Sequence, residues 1–238
     1  QAFRTAVSGC PGPVHLQFRG NEGQVDQGEC EYEALTEDTF ASVPPFRPAP
    51  DDASVQKAVD ILQKAARPII VSGGGVKASG AGAELVALAE RLAIPVVTSL
   101  NGKDTFPSTH PLSGGVVGTY SRESANRAVN EADLVCFIGT ETGGMTTHFW
   151  AVPEIGRPAI QIDIEPESIG RNYPLQAAVQ GDAKVTLARM VDLSDAGTAA
   201  SRTVWVERIK ELQGEWRAKH EDELRSDAVP IRPERLCQ

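Results

Sequence analysis

Pro68-Ile69-Ile70-Val71-Ser72-Gly73-Gly74-Gly75-Val76-Lys77-Ala78 is the stretch on which the fold turns. A short apolar run, without polar alternation, ends at a serine and three glycines. Such a run predicts a strand buried on both faces, which is the habit of parallel sheets. The glycines end it and precede a helix, in the pattern G-x-G-x-x-A. Glycine at this place serves either of two ends. It lets a phosphate approach backbone N–H groups at a helix start, or it makes a tight strand-to-helix turn with no ligand. The residues alone support both equally.

The same alternation extends in both directions. Upstream, Ala58, Ile61, Leu62 and Ala65 lie at helical spacing and predict an amphipathic helix over Ser54–Ala65. Downstream, the pattern predicts a helix over Ala83–Leu92, a strand over Ile94–Thr98, and a long loop over residues 99–119. A helix over Ser121–Glu131 and strands over Asp133–Ile138 and Ala159–Ile164 follow, with a short strand over Ala178–Gln180. Asp182 is placed to cap a helix over Asp182–Val191, and Thr198–Lys219 reads as one long charged helix. Near the N-terminus, Val14–Phe18 reads as a strand after the turn-rich Gly9–Pro13, and residues 19–52 as a linker stiffened by prolines. Strands alternating with helices define an α/β fold, a parallel sheet with helices on both faces.

The formal net charge of −9 argues against nucleic acid as a partner, because phosphate backbones need a basic face. The balance suits a soluble cytoplasmic enzyme. Cys10, Cys30, Cys136 and Cys237 form no C-x-x-C pair and have no histidine at ligand spacing, so neither zinc nor a disulfide framework is expected. Cys136, inside Leu134–Ile138, reads as a buried small hydrophobe. No apolar stretch is long enough for a membrane span, and no signal peptide is legible. The chain opens and closes in mid-pattern, as an interior segment of something longer would.

In an open parallel sheet, ligands lie beyond the carboxyl ends of the strands. The candidate residues gather there. Gly73, Gly74 and Gly75 form the first loop; Gly139, Thr140, Thr142 and Gly143 offer hydroxyls and free amides in a second. Asp163 and Glu165 end the next strand, where a carboxylate suits ribose contacts, acid–base work or a simple turn cap, and Asp182 stands at the far edge. Thr98-Ser99-Leu100 replaces the acidic residue that a dinucleotide dehydrogenase wants after its second strand, which weakens an NAD reading. There is no phosphate-loop lysine motif and no nucleophile elbow. His15, His110, His148 and His220 are scattered, and His110, before Pro111, reads as a turn or packing residue. Trp205 and Trp216 read as a docking stripe on the last helix.

Taken in order, these short motifs resemble the acetolactate synthase-like thiamine diphosphate-dependent enzymes. Ser8–Val14 resembles the G-x-P-G-P-V segment closing their pyrimidine-binding domain. Arg67-Pro68, Val71–Gly75, Ile94–Thr98, Gly102-Lys103, His110–Leu112, Asn126, Ala132–Leu134 and Ile138-Gly139 resemble their central domain, as do Ile162–Ile164, Ile169–Asn172 and Gly181–Ala183. The resemblance implies a six-stranded Rossmann-like sheet over residues 50–193. Residues 1–45 would be the tail of the pyrimidine-binding domain with its linker. Residues 194–238 would be a linker helix and the start of the pyrophosphate-binding domain, which Pro230–Leu236 resembles.

The resemblance further implies a 2-oxo acid carboligase or decarboxylase, assembled as a homodimer or homotetramer. Thiamine diphosphate and Mg2+ would be held by residues outside this segment, so the segment alone would be inactive. Gly181-Asp182-Ala183 is not the Gly-Asp-Gly metal motif. Flavin-containing relatives hold FAD in the central domain, others ADP, and their loop after the fourth strand often reads Gly-x-Arg. Glu141 stands here instead, and a carboxylate repels phosphate, so FAD would be weak or absent. The segment would expose an association stripe, with Trp205, Val206, Ile209, Leu212 and Trp216 as candidates. The alternative is a non-catalytic nucleotide-binding or scaffolding module that shares only the sheet.

Overall fold

In the computed structural model, which describes residues 1–17 and 37–236, the chain divides into two units, Gln1–Arg47 and Pro48–Gln238. The first unit holds one short helix, α1 (Ala2–Val7), and a 3-10 turn, Asp38–Ala41. Arg4 ties them together. Its Nε donates to Glu37 at 2.6 Å, and its guanidinium lies 5.1 Å over the Phe40 ring. The strand expected near the N-terminus is not formed over Val14–Gln17, and Phe18 lies outside the described residues, as do Cys30 and Cys237. A strand needs a neighbour for its N–H and C=O groups, and the described part of this unit contains no strand.

The second unit is built on one six-stranded sheet. Its strands are β1 (Pro68–Ser72), β2 (Val96–Thr98), β3 (Ser113–Val116), β4 (Leu134–Ile138), β5 (Ala159–Asp163) and β6 (Leu175–Gln180). All pairings are parallel, in the order β3-β2-β1-β4-β5-β6. The decisive apolar run is therefore the centre of the sheet, and every residue of β1, β4 and β5 is buried.

β3 lies within the stretch expected to be loop. Its sequence, Ser-Gly-Gly-Val, carries no apolar alternation, because Gly115 takes φ 91° beside open space and Gly114 packs without a side chain. A Cβ at Gly114 would stand 2.7 Å from Val97 Cγ1. At the opposite edge β6 is twice its expected length. It buries only Ala177 and Val179 and exposes alternate residues, so the apolar signal is thin.

Helices cover both faces. Asp52–Lys64 (α2), Gly74–Ser79 (α3), Gly82–Leu92 (α4) and Ala183–Leu193 (α6) share one apolar cluster. Glu123–Glu131 (α5) and Thr203–Lys219 (α7) share the other. Two short helices, α8 (Glu221–Leu224) and α9 (Pro233–Leu236), follow. Asp51, one residue outside α2, caps it by accepting from Ser54 N at 2.8 Å.

α7 begins later than its charge pattern predicts. Asp195 accepts from Gly197 N, and Ala196–Arg202 winds as a 3-10 helix before the α-helix starts at Thr203. The aromatic stripe of α7 is not an exposed surface. Trp205, Ile209 and Leu212 are buried against the sheet and α5, and Trp205 Nε1 donates to Pro68 O at 2.8 Å. Val206 packs on the opposite cluster, and Trp216 is half-buried beneath Arg122. The period marked a helix needing a partner, and the partner is this unit's own sheet.

Ala93 closes α4 in the left-handed region, at φ 49°. A Cβ is disfavoured there by about 1 kcal/mol. Ala93→Gly is expected to stabilise the fold by about that amount, seen as a melting temperature raised by about 2–4 °C. A lower melting temperature would contradict the assigned turn.

Candidate functional site at the strand ends

The strand order reverses between β1 and β4, which places the loops after these strands at the switch point of the sheet. The first loop and the second close directly on each other. Gly73 N donates to Ile138 O at 2.8 Å, and Gly75 N to Gly139 O at 2.9 Å. A Cβ at Gly73 would lie 2.1 Å from Gly139 O, and one at Gly75 2.8 Å from Gly139 Cα. Gly139 has φ 59° and donates to Ile162 O. Of the two readings of these glycines, tight backbone packing accounts for Gly73, Gly75 and Gly139. Gly74 differs, since its nearest neighbour is Asn101 Cβ at 3.7 Å.

The second loop is pinned by two side chains that sequence reasoning did not single out for the site. Asn172 Nδ2 donates to Glu141 O, Thr142 O and Thr142 Oγ1 at 3.0–3.2 Å. Gln161, buried within β5, donates to Thr140 O at 3.2 Å and to Ser168 O at 3.1 Å. Thr140 and Thr142 are buried, and Gly143 faces open space. Farther along, His148, Phe149 and Trp150 all adopt left-handed backbone, at φ 48°, 55° and 63°. Three such residues in succession store strain of about 1 kcal/mol each or more. Phe149 is nonetheless 64% exposed and Trp150 41% exposed. Residue type gives no warning of this conformation.

Asp163 stands at the end of β5, 8% exposed, and accepts from Glu165 N at 3.0 Å. Burial pushes its carboxyl above the ordinary aspartate range, against the pull of the Glu165 and Ile164 N–H groups, and the charges of Glu141 and Glu165 push it further. Thr140, Thr142, Asp163 and Glu165 thus all lie at the strand ends, where the carboxylates of Glu141 and Glu165 are near enough to act on that of Asp163. Asp182 belongs to a different network. Its Oδ1 accepts from Lys184 N and Val185 N, and its Oδ2 from Ser79 Oγ at 2.8 Å, joining α3 to α6. His110 is a turn residue. Its Nδ1 accepts from Leu112 N, and its ring lies edge-on to Phe106 at 4.8 Å.

The raised Asp163 pKa makes a stability prediction. A carboxyl whose folded pKa exceeds its unfolded value stabilises the fold below the unfolded pKa, and that contribution is lost as pH rises through the folded pKa. At neutral pH the ionised Asp163 is therefore a cost. Asp163→Asn, which keeps an acceptor for Glu165 N, should raise the urea midpoint at neutral pH, with the gain vanishing below pH 3.8. A gain that persists unchanged in acid would contradict the assignment to this carboxyl.

A parallel sheet in the order 3-2-1-4-5-6, with its glycine loops at the switch point, is a Rossmann-like domain of the doubly wound type. The model of one family, the thiamine pyrophosphate enzyme central domain, matches residues 55–190, and the chain belongs to that family. It is 35% identical over its whole length to a probable acetolactate synthase large subunit of Methanocaldococcus jannaschii, and 32% identical over its whole length to the glyoxylate carboligase of Escherichia coli O157:H7. In each case it spans 39% of the relative's length. It is also similar to the X-ray structure of a Mycobacterium smegmatis protein assigned to the thiamin diphosphate-dependent enzymes. There the TM-score is 0.53 and the identity 25%, over 71% of this chain and 31% of that one. No helix among the described residues is long and apolar enough to cross a membrane.

Proposed function

We propose that this chain serves as the central domain of a thiamine diphosphate-dependent, cytoplasmic carboligase or decarboxylase of 2-oxo acids, working as a homodimer or homotetramer. The observation that supports it most is the family match laid over a complete six-stranded sheet. Residues 1–45 would close the preceding domain and residues 194–238 would lead into the next. This chain's own residues do not suit thiamine diphosphate or Mg2+. The nearest counterpart of a metal motif is Gly181-Asp182-Ala183, and both carboxylate oxygens of Asp182 are already engaged by Ser79 and the start of α6. The cofactor's chemistry, formation of a carbanion from the 2-oxo acid, would fall to residues elsewhere in the protein.

For a nucleotide, the fit is partial. The N–H groups of Gly73 and Gly75 are spent on Ile138 O and Gly139 O, and Glu141, Asp163 and Glu165 oppose a pyrophosphate but suit the hydroxyls of a ribose or ribityl chain. FAD or ADP would therefore rest on Thr140, Thr142, Gly143, Asp163 and Glu165, with Gly74 the one point of approach on the first loop. Gly73, Gly75, Gly139 and Asp182 would hold the frame.

The test is expression of the whole gene product containing this chain, supplied with thiamine diphosphate, Mg2+ and pyruvate. Release of CO2 with formation of an acyloin product is expected, and no turnover from the 238-residue chain alone. Turnover by the 238-residue chain itself would overturn the placing of the catalytic residues outside it, and a gene product without a pyrimidine-binding domain would overturn the reading in favour of a scaffolding module.

A further inference from the structure

A cleft of about 240 Å³ lies among the stretch entering β3, the start of α5, and α7. Its lining includes Arg122, Lys210 and Arg217 and no carboxylate, in a chain whose formal net charge is −9. Lys210 is paired with Glu207 at 2.6 Å. Arg122 lies 4.8 Å over the ring of Trp216, which also lines the cleft, and neither Arg122 nor Arg217 makes an ion pair among the described residues.

Ser124, also in the lining, is 3% exposed, and its Oγ has no hydrogen-bond partner among the described residues. A buried hydroxyl without a partner is uncommon and unfavourable. Ser124 is the second residue of the nine-residue helix α5. Ala125 N and Asn126 N donate to Arg122 O, so the N–H groups of Glu123 and Ser124 and the positive end of the helix dipole are what stand beside that hydroxyl.

We propose that this cleft binds a phosphate group, presented as inorganic phosphate or as a small phosphomonoester. The chemistry is complementary. Arg122 and Arg217 offer forked N–H donors that match phosphate oxygens, Lys210 adds a point charge, the helix start favours an anion, and Ser124 Oγ gains the partner it lacks. Trp216 walls the cleft and reports on its occupancy. The site is separate from the strand-end crevice, whose carboxylates would repel the same group.

The experiment titrates the 238-residue chain at constant ionic strength, maintained with chloride. The ligands are inorganic phosphate, glycerol 3-phosphate and acetate, followed by tryptophan fluorescence and by calorimetry. Saturable phosphate binding is expected below about 10 mM, weak but specific on the affinity scale. Ser124→Ala should weaken it about tenfold, the loss of one hydrogen bond to a charged group, while leaving the fold as stable or more so. Arg217→Gln should weaken it further. Tighter binding of glycerol 3-phosphate would identify an organic phosphate as the ligand, and tighter binding of inorganic phosphate the free ion. Both results uphold the site. Absence of saturation, equal binding of acetate, or affinity unchanged in both variants would each overturn it.

Discussion

Gly73→Ala is expected to destabilise the domain by at least about 3 kcal/mol, whereas Gly74→Ala, one residue on, should be neutral to within about 0.5 kcal/mol. The difference comes from what each added methyl would meet. At Gly73 it would lie 2.1 Å from Gly139 O and 2.6 Å from Thr140 Cβ. Gly139 is itself locked, since its φ is 59° and it donates to Ile162 O. The atoms met belong to the chain just beyond β4, and neither β1 nor β4 can retreat without breaking the centre of the sheet. At Gly74 the methyl would make an ordinary contact with Asn101 at 3.7 Å, at the first residue of α3, where alanine is the better helix former. Urea unfolding of both variants decides the matter. If Gly73→Ala folds as stably as Gly74→Ala and loses only ligand affinity, the glycines serve a phosphate and not the joint between the two loops.

This contrast also marks how far the sequence could be read. The triglycine after an apolar run marked the end of the central strand, but the short helix α3 that begins at Gly74 was not given by the pattern, whose next helix is Ala83–Leu92. It could not say whether the glycines make room for a ligand or for another piece of backbone, because that depends on β4, more than 60 residues away. The buried strands β1, β4 and β5 were legible because burial on both faces leaves an unbroken apolar run. β3 was not, since Gly114 packs by lacking a side chain. The stripe of α7 was legible as apolar, but the identity of its partner was not. Trp205 seeks Pro68 O across the domain, a contact no local pattern encodes. Within the strand-end crevice, Thr140, Thr142, Asp163 and Glu165 were chosen for their chemistry and position. Gln161, which helps hold the loop in shape, carries no motif, and Asn172, though it closes the Ile169–Asn172 motif, gives no sign in sequence that it reaches back to Thr142.

Arg202→Met should cost about 3–4 kcal/mol and lower the melting temperature by about 10 °C, though the residue touches nothing at the strand ends. Arg202 is fully buried. Its Nη1 donates to Leu92 O, at the end of α4, at 2.5 Å. Its Nη2 donates to Leu62 O within α2 and, at 3.1 Å, to Ala65 O just beyond it. One guanidinium thus satisfies the terminal carbonyls of two helices, which have no partner within their own helices. Burial lowers its pKa, and the nearby Asp133 opposes that shift. Methionine keeps most of the stem's packing but offers no donor, so buried carbonyls lose their partners, each at about 1–3 kcal/mol before relaxation. Lysine should not rescue the loss, because a single ammonium on a flexible stem cannot present the planar fork that spans both helix ends. Thermal and urea unfolding of Arg202→Met and Arg202→Lys give the measurement. Full stability of the lysine variant would show that charge alone is required there, and a loss below about 1 kcal/mol for methionine would remove the double cap from the account of this fold.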